Sequence, residues 1–448
     1  MNVLTSAIAA LIVLASSTAF GHDNILARLI ICYCIFLFLF LLLNAVFDRS
    51  ASVLMIAVSF YHLAMFFIPG MLHCAQGWFP FFEATYGQEV IFQVSMLLAV
   101  YSTCFAVGYQ VAGRWRPSKL TVEWKLKRID ETTIIILSVI TIGVSLACMA
   151  TAGFEAFFLR RADRDLLGAD PTPAFLILTN LPRVASLCAL LVVADRARAT
   201  NSAFMIILTI PLSILALAAN NPLTIARFQL FGAAFIVLFA WKLLATQSRK
   251  VLFAAALLGG QFVALPLMDS LARGEEGTEF SFRPLEYLAE HGDFDGLQST
   301  LNTYILVDLK GFSYGRQLLG AILTFVPRNL WPSKPYATGQ TAAEALGFPF
   351  TNLSAPLPAE IYVDFGIFGL IILSFALGCG VRRLDFGAQR AALTGAPMTT
   401  RLLYGGVIGY ATILCRGALL AVAAPIYLYF GVNWIWSSMA RMKSKRAG

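Results

Sequence analysis

This chain repeats one feature almost from end to end: apolar stretches about as long as a bilayer is thick. A helix that crosses the hydrocarbon core needs about 20 mostly apolar residues. Twelve stretches of that kind are read here, at 3–20, 29–47, 52–72, 89–112, 132–152, 174–194, 203–219, 228–245, 251–268, 361–380, 402–415 and 417–436. Composition agrees with that reading. Hydrophobic residues make up 58% of the chain and charged ones 13%, with a mean hydropathy of +0.75. A soluble domain is about half apolar and a quarter charged, so this chain has too little charge to coat a water-facing surface. The expected fold is an all-α polytopic membrane protein: a single membrane domain over 1–448 with about 12 transmembrane helices. Only Arg416 separates the last two stretches, which predict either one broken helix or a tight hairpin.

Positive charge orients the spans. Lys and Arg concentrate in cytoplasmic loops. The loop at 113–131 carries Arg114, Arg116, Lys119, Lys125, Lys127 and Arg128. It follows four spans, so the N-terminus is expected in the cytoplasm. The remaining even-numbered loops agree, with Arg196 and Arg198, then Lys242, Arg249 and Lys250, then Arg382, Arg383, Arg390 and Arg401. The C-terminal tail is basic too and is expected on the same side. The segment 153–173 departs from the rule, with Arg160, Arg161 and Arg164 offset by four carboxylates. The first stretch lacks the basic start of a signal peptide, so a retained helix is expected. Together these features predict a multi-pass protein of a bacterial inner membrane.

Residues 269–360 interrupt the pattern. They are expected as one large periplasmic loop, with an amphipathic portion at 315–331 and a Pro-rich portion at 327–358. A long loop in a compact protein is usually functional.

Several chemistries lack their signatures. There is no phosphate-binding Walker loop, no dinucleotide fingerprint and no HExxH, and His22, His62, His73 and His291 have no ligand spacing. The eight cysteines form no framework or metal spacing; all but Cys74 lie in apolar runs. The net charge of +8 is scattered over short loops, where it orients spans. No nucleic-acid partner, metal or cofactor is expected.

What remains is charge near the outer surface. Arg227, Arg316, Arg328, Lys334 and Arg416 come from separate parts of the chain. The planar fork of arginine suits phosphate, and a lipid diphosphate is a natural ligand at that depth. Arg at a span end also snorkels to headgroups without further function. Among acids, Glu360 and Asp364 flank Tyr362 at a span start, and Asp295 lies in Gly292-Asp293-Phe294-Asp295-Gly296. A carboxylate beside Arg can act as general base on a sugar hydroxyl; Glu360 can equally be a helix N-terminal anion, and Asp295 a cap. In Val326-Pro327-Arg328-Asn329-Leu330-Trp331-Pro332-Ser333-Lys334-Pro335 the prolines stiffen the backbone. Trp331 there offers a face for stacking on a sugar or for anchoring at the interface.

At these residues the chain resembles the Wzy-type oligosaccharide repeat-unit polymerases of O-antigen, capsule and exopolysaccharide assembly. The resemblance rests on elements in the family's order: Asn221-Pro222 with Arg227, Asp293-Phe294-Asp295, Gly315-Arg316, Pro327-Arg328 with Trp331-Pro332 and Lys334-Pro335, Gly339, Glu360 with Tyr362, Phe365-Gly366, and Arg416-Gly417. It covers about 220–420, and Arg328 and Gly339 reproduce an Arg-x10-Gly spacing found in some members. It implies a GT-C-like fold and a metal-independent glycosyltransferase. Such an enzyme moves a growing glycan from its undecaprenyl diphosphate carrier onto an incoming lipid-linked unit. It further implies catalytic roles for Glu360, Asp295 and Arg328, diphosphate binding by the five cations, and substrate contact by Trp331, Tyr362 and Asp364. The implied partners are membrane lipid, undecaprenyl-diphosphate-linked oligosaccharides, a chain-length regulator and a repeat-unit flippase. The rivals are an O-antigen ligase, with the same donor and topology, and a flippase or transporter of lipid-linked sugars.

Overall fold

The computed structural model describes residues 2–114, 129–159, 173–222, 224–225, 227–273 and 284–442. Among them the chain is helical throughout, with one isolated β-bridge between Phe79 and Ala84. The helices are α1 (Asn2–Ser17), α2 (Ile25–Phe47), α3 (Leu54–Gln76), α4 (Gln88–Arg114), α5 (Glu131–Ala152), α6 (Glu155–Phe158), α7 (Pro173–Thr200) and α8 (Ala203–Ala219). They continue with α9 (Arg227–Ala240), α10 (Gln247–Arg273), α11 (Pro284–Glu290), α12 (Gly296–Lys310), α13 (Arg316–Ile322), α14 (Thr338–Leu346), α15 (Leu357–Leu393), α16 (Met398–Arg416) and α17 (Leu419–Met442).

Among the described residues eight helices are long and apolar enough to cross a membrane: α1 (with the turn to Phe20), α2, α3, α4, α5, α7, α15 and α17. Two shorter apolar helices, Ala203–Ala219 and Gln229–Ala240, lie where two further spans are predicted. The chain is thus a multi-pass membrane protein. Most of the basic loop at 113–131 and of the segment at 153–173 lies outside the described residues.

Glycine sets the closest helix contacts. A Cβ on Gly108 of α4 would stand 2.1 Å from the Phe375 carbonyl oxygen of α15, and one on Gly378 would stand 2.1 Å from that of Phe105. Neither position accommodates a side chain, so the two backbones touch, as small residues permit between membrane helices. Gly232 of α9 and Gly409 of α16 repeat the device. The last two apolar runs form a hairpin. The Tyr429 hydroxyl of α17 donates to the Leu402 carbonyl of α16 at 2.7 Å, and the Tyr429 ring fills the space above Gly406.

One end of the bundle is held by buried charge. Asp385 of α15 accepts from the N–H groups of Ser52 and Leu54, so it caps α3 from another helix. Lys250 donates to the carbonyls of Asp48 and Ala51, and Arg382 pairs with Asp48 at 2.7 Å. Arg401 pairs with Asp195 at 2.6 Å and also donates to the Ala240 carbonyl. Of the basic residues expected on one side of the membrane, Lys250, Arg382 and Arg401 lie together at this end.

At the other end, the segment 269–360, expected as one large loop, holds helices among its described residues. Helix α10 continues to Arg273, four helices follow between 284 and 346, and α12 is buried within the bundle over its first eight residues. Five of those eight are polar, Gln298, Ser299, Thr300, Asn302 and Thr303. Burying them requires partners. Gln298 exchanges two hydrogen bonds with the backbone of Phe81, Asn302 accepts from Tyr86, and Thr300 and Thr303 donate to carbonyls one turn back. With no apolar stripe to mark it, this helix escapes a reading based on periodicity.

Candidate functional site

Gly417 and Ala418 separate α16 from α17. The last residue of α16, Arg416, turns its Nη2 to two carboxylates, Asp295 at 3.4 Å and Asp293 at 3.7 Å. These acids lie on either side of Phe294, just before α12. Asp295 is 1% exposed, and its second oxygen accepts from the hydroxyls of Ser299 at 2.9 Å and Ser354 at 2.7 Å. It is held on all sides and fixes the guanidinium from beneath. Asp293 is partly exposed and stands beside His291, whose Nδ1 is 3.8 Å from its carboxylate and accepts from its N–H at 3.2 Å. The Nε of Arg416 is buried without a hydrogen-bond partner among the described residues.

Below this cluster α3 loosens into a π-helical stretch, Tyr61–Phe67. Such bulges recur at functional sites. Phe66 meets the position where Gly296 would carry a Cβ, at 2.8 Å, so α12 sits directly on the bulge. The buried hydroxyl of Tyr61 has no partner among the described residues, and its ring lies within electrostatic reach of Arg416 and Asp295.

Glu360 reaches the same helix break from α15. It is 2% exposed; one oxygen accepts from the Leu419 N–H at 3.0 Å and the other from Thr338 at 2.9 Å. A carboxylate is favoured at a helix N-terminus, and here it holds the starts of both α17 and α14. Asp364, one turn on, serves α13. It accepts from the N–H groups of Gln317 at 3.1 Å and Leu318 at 2.8 Å, and from the Ser313 hydroxyl. Between the two acids Tyr362 stacks on Tyr304 with ring centroids 5.6 Å apart. Gly366 then breaks the helix at φ 62°, a conformation that glycine adopts freely.

The other cations are brought together elsewhere. Arg328 donates to the carbonyls of Lys334 at 2.6 Å and Pro335 at 2.9 Å and lies 3.9 Å over the Tyr336 ring. Lys334 donates to Thr324 and Val326, and Arg316 to Ser333. Burial, and then the neighbouring Arg328 charge, lower the Lys334 pKa. Trp331 hydrogen-bonds Ser333. These side chains knit the Pro-rich segment into one unit, and none of the three cations forms a hydrogen bond or ion pair with Arg416, Asp295 or Glu360.

The Arg227 side chain lies outside the described residues, but its backbone opens α9. Because Gly232 packs on Gly409, Arg227 stands about 7.5 Å above that contact and Arg416 about 10 Å above it, at 1.5 Å per residue. Both therefore lie at the same end of the bundle. Next to the first turn of α9 is a small cleft, lined by Asn180, Arg183, Asn220, Gln229, Tyr410 and Tyr429 among others.

Of the residues singled out from sequence, the structure gathers Arg416, Asp295 and Glu360 at the α16–α17 break, and Arg316, Arg328 and Lys334 in the Pro-rich unit. It adds His291, Asp293, Ser299, Ser354 and Tyr61. Asp293 stood in the same short motif as Asp295 and was the signal to follow; the serines and Tyr61 carried none. Compared with protein-family models, curated proteins and solved structures, the chain matches none.

Proposed function

We propose that this chain is a polysaccharide polymerase of the Wzy type. In this reading it joins undecaprenyl-diphosphate-linked oligosaccharide units at the periplasmic face of a bacterial inner membrane. It would have about twelve crossings, a GT-C-like arrangement and both termini in the cytoplasm. One observation carries the reading: an arginine, Arg416, at a helix break, braced from below by buried Asp295 and flanked by the more accessible Asp293. That arrangement presents a cation for an anionic leaving group and a carboxylate for a proton side by side.

In the proposed reaction an acceptor hydroxyl attacks the anomeric carbon of the donor glycan. Its proton passes to Asp293, which is more exposed than the buried Asp295 and Glu360. The bond to the diphosphate breaks, and the leaving group takes the electron pair. Arg416, with Arg227 from the neighbouring helix end, meets the charge that develops there; fixed cations act strongly where water is scarce. The leaving group is already activated, so the reaction consumes no nucleotide.

The test is chain growth in cells together with membrane levels of the protein. Arg416→Ala and Asp293→Asn should abolish polymer and leave single-unit products while the protein still inserts. Asp295→Asn and Arg416→Ala should also lower protein levels, because removing either partner of the buried pair costs about 3–5 kcal/mol, whereas the more exposed Asp293→Asn should not. Normal polymer with both Arg416→Ala and Asp293→Asn would refute the proposal. Free lipid-linked polymer in a deletion strain would favour the ligase.

A further inference from the structure

The Pro-rich unit has a feature that diphosphate binding does not explain: its cations are used on its own backbone. The carbonyls of Thr324, Val326, Ser333, Lys334 and Pro335 all accept from Arg316, Arg328 or Lys334. The Ile322 carbonyl accepts from the Tyr427 hydroxyl. An irregular loop in water leaves such groups to solvent; one at membrane depth must satisfy them from within the protein.

Its position matches. Helix α13 lies along the first turns of α17, a spanning helix. Leu420 and Pro335 flank Gly320, where a Cβ would be 3.8 Å and 2.7 Å from them. Tyr427 lies about 12 Å along α17 from Leu419 by helical rise, and its side chain leans back toward the helix start. Ile322 is therefore level with the second turn of a membrane span. The outer face of the unit is apolar: Phe325 is 71% exposed and Leu330 77%, with Leu319 and Ile322 also exposed. No carboxylate among the described residues pairs with Arg316, Arg328 or Lys334, so three positive charges lie beside that apolar face.

We propose that residues 316–336 are an interfacial element that lies in the bilayer surface at the Arg416 end of the bundle. Phe325 and Leu330 enter the acyl region, and the three cations sit at the level of the lipid phosphates. Its partner is the lipid surface itself. Apolar insertion combined with basic residues at the headgroups is the physical pattern of interfacial binding, and cations near an anionic surface strengthen it. The inference does not rest on the glycosyltransferase reading.

The test uses the full chain in phosphatidylethanolamine–phosphatidylglycerol vesicles. Phe325→Cys, Leu330→Cys and, as an exposed reference, Glu344→Cys are labelled with an environment-sensitive NBD probe, and the signal of the labelled unsubstituted chain is subtracted. Phe325 and Leu330 project outward, so neither substitution removes a packed side chain. Shallow spin-labelled lipid should quench positions 325 and 330 at least twofold more than position 344, with iodide quenching in the reverse order. Iodide quenching at 325 and 330 equal to that at 344, without lipid quenching, would overturn the proposal. Shielding of both from lipid and iodide alike would also overturn it, and would point to a protein covering the face.

Discussion

Asp364 shows how differently a carboxylate reads in a sequence and in a fold. In the sequence it is an acid near the outer surface, next to a candidate base. In the fold it closes the start of α13, taking two backbone N–H groups and the Ser313 hydroxyl. Replacing it with alanine leaves those donors unsatisfied, which costs about 1–3 kcal/mol for a buried group. Asp364→Ala should therefore lower the thermal midpoint in detergent and speed proteolytic cleavage within 311–336, while Asp364→Ser retains part of the cap. Unchanged cleavage would exclude the capping role. Gly339 is a similar case. Its spacing from Arg328 fits a family motif, yet a Cβ there would stand 2.0 Å from the Leu353 carbonyl oxygen. Close backbone approach is by itself a sufficient reason for glycine at that position.

Among the elements, the contact between α4 and α15 holds the site end to the charged end. Its carbonyls approach glycines from both directions, at Gly108 and at Gly378. Gly378→Leu must push the helices apart, so the monodisperse fraction in detergent should fall sharply; Gly380→Leu, where nothing lies within 4 Å of a Cβ, should leave it unchanged. Equal behaviour of the two variants would mean that the contact contributes little. Helix α12 adds polar partners to its close packing on the π-helical stretch at Gly296. Gln298 holds the loop before α4 through Phe81, and Tyr304 reaches Gln93. Two stretches outside the spans are tied together in this way, and Asp295 is set at the start of α12 facing Arg416.

Over the whole molecule, charge is divided between two ends with separate tasks. At one end Asp385, Lys250, Arg382, Asp48, Arg401 and Asp195 lock the helices. At the other, Arg416 with Asp293 and Asp295 is partly open. Eight of the twelve expected membrane helices were legible in the sequence as helices long and apolar enough to span, among the described residues, because a segment that crosses hydrocarbon must be apolar along its whole length and cannot hide that in its pattern. That Lys250, Arg382 and Arg401 stand at span ends was legible for a related reason, since charge avoids the bilayer. Arg416 was legible as a charge between two apolar runs. Its partners were not: Asp295 precedes it by 121 residues, and no local pattern links them. Whether 402–436 turns back on itself, whether a cation faces an anion or a loop carbonyl, and that a polar helix fills the middle of an expected loop were decided by the tertiary structure alone. Solvent preference acts on each residue where it stands, whereas hydrogen bonds and ion pairs act between groups that only folding brings within about 3–4 Å of each other.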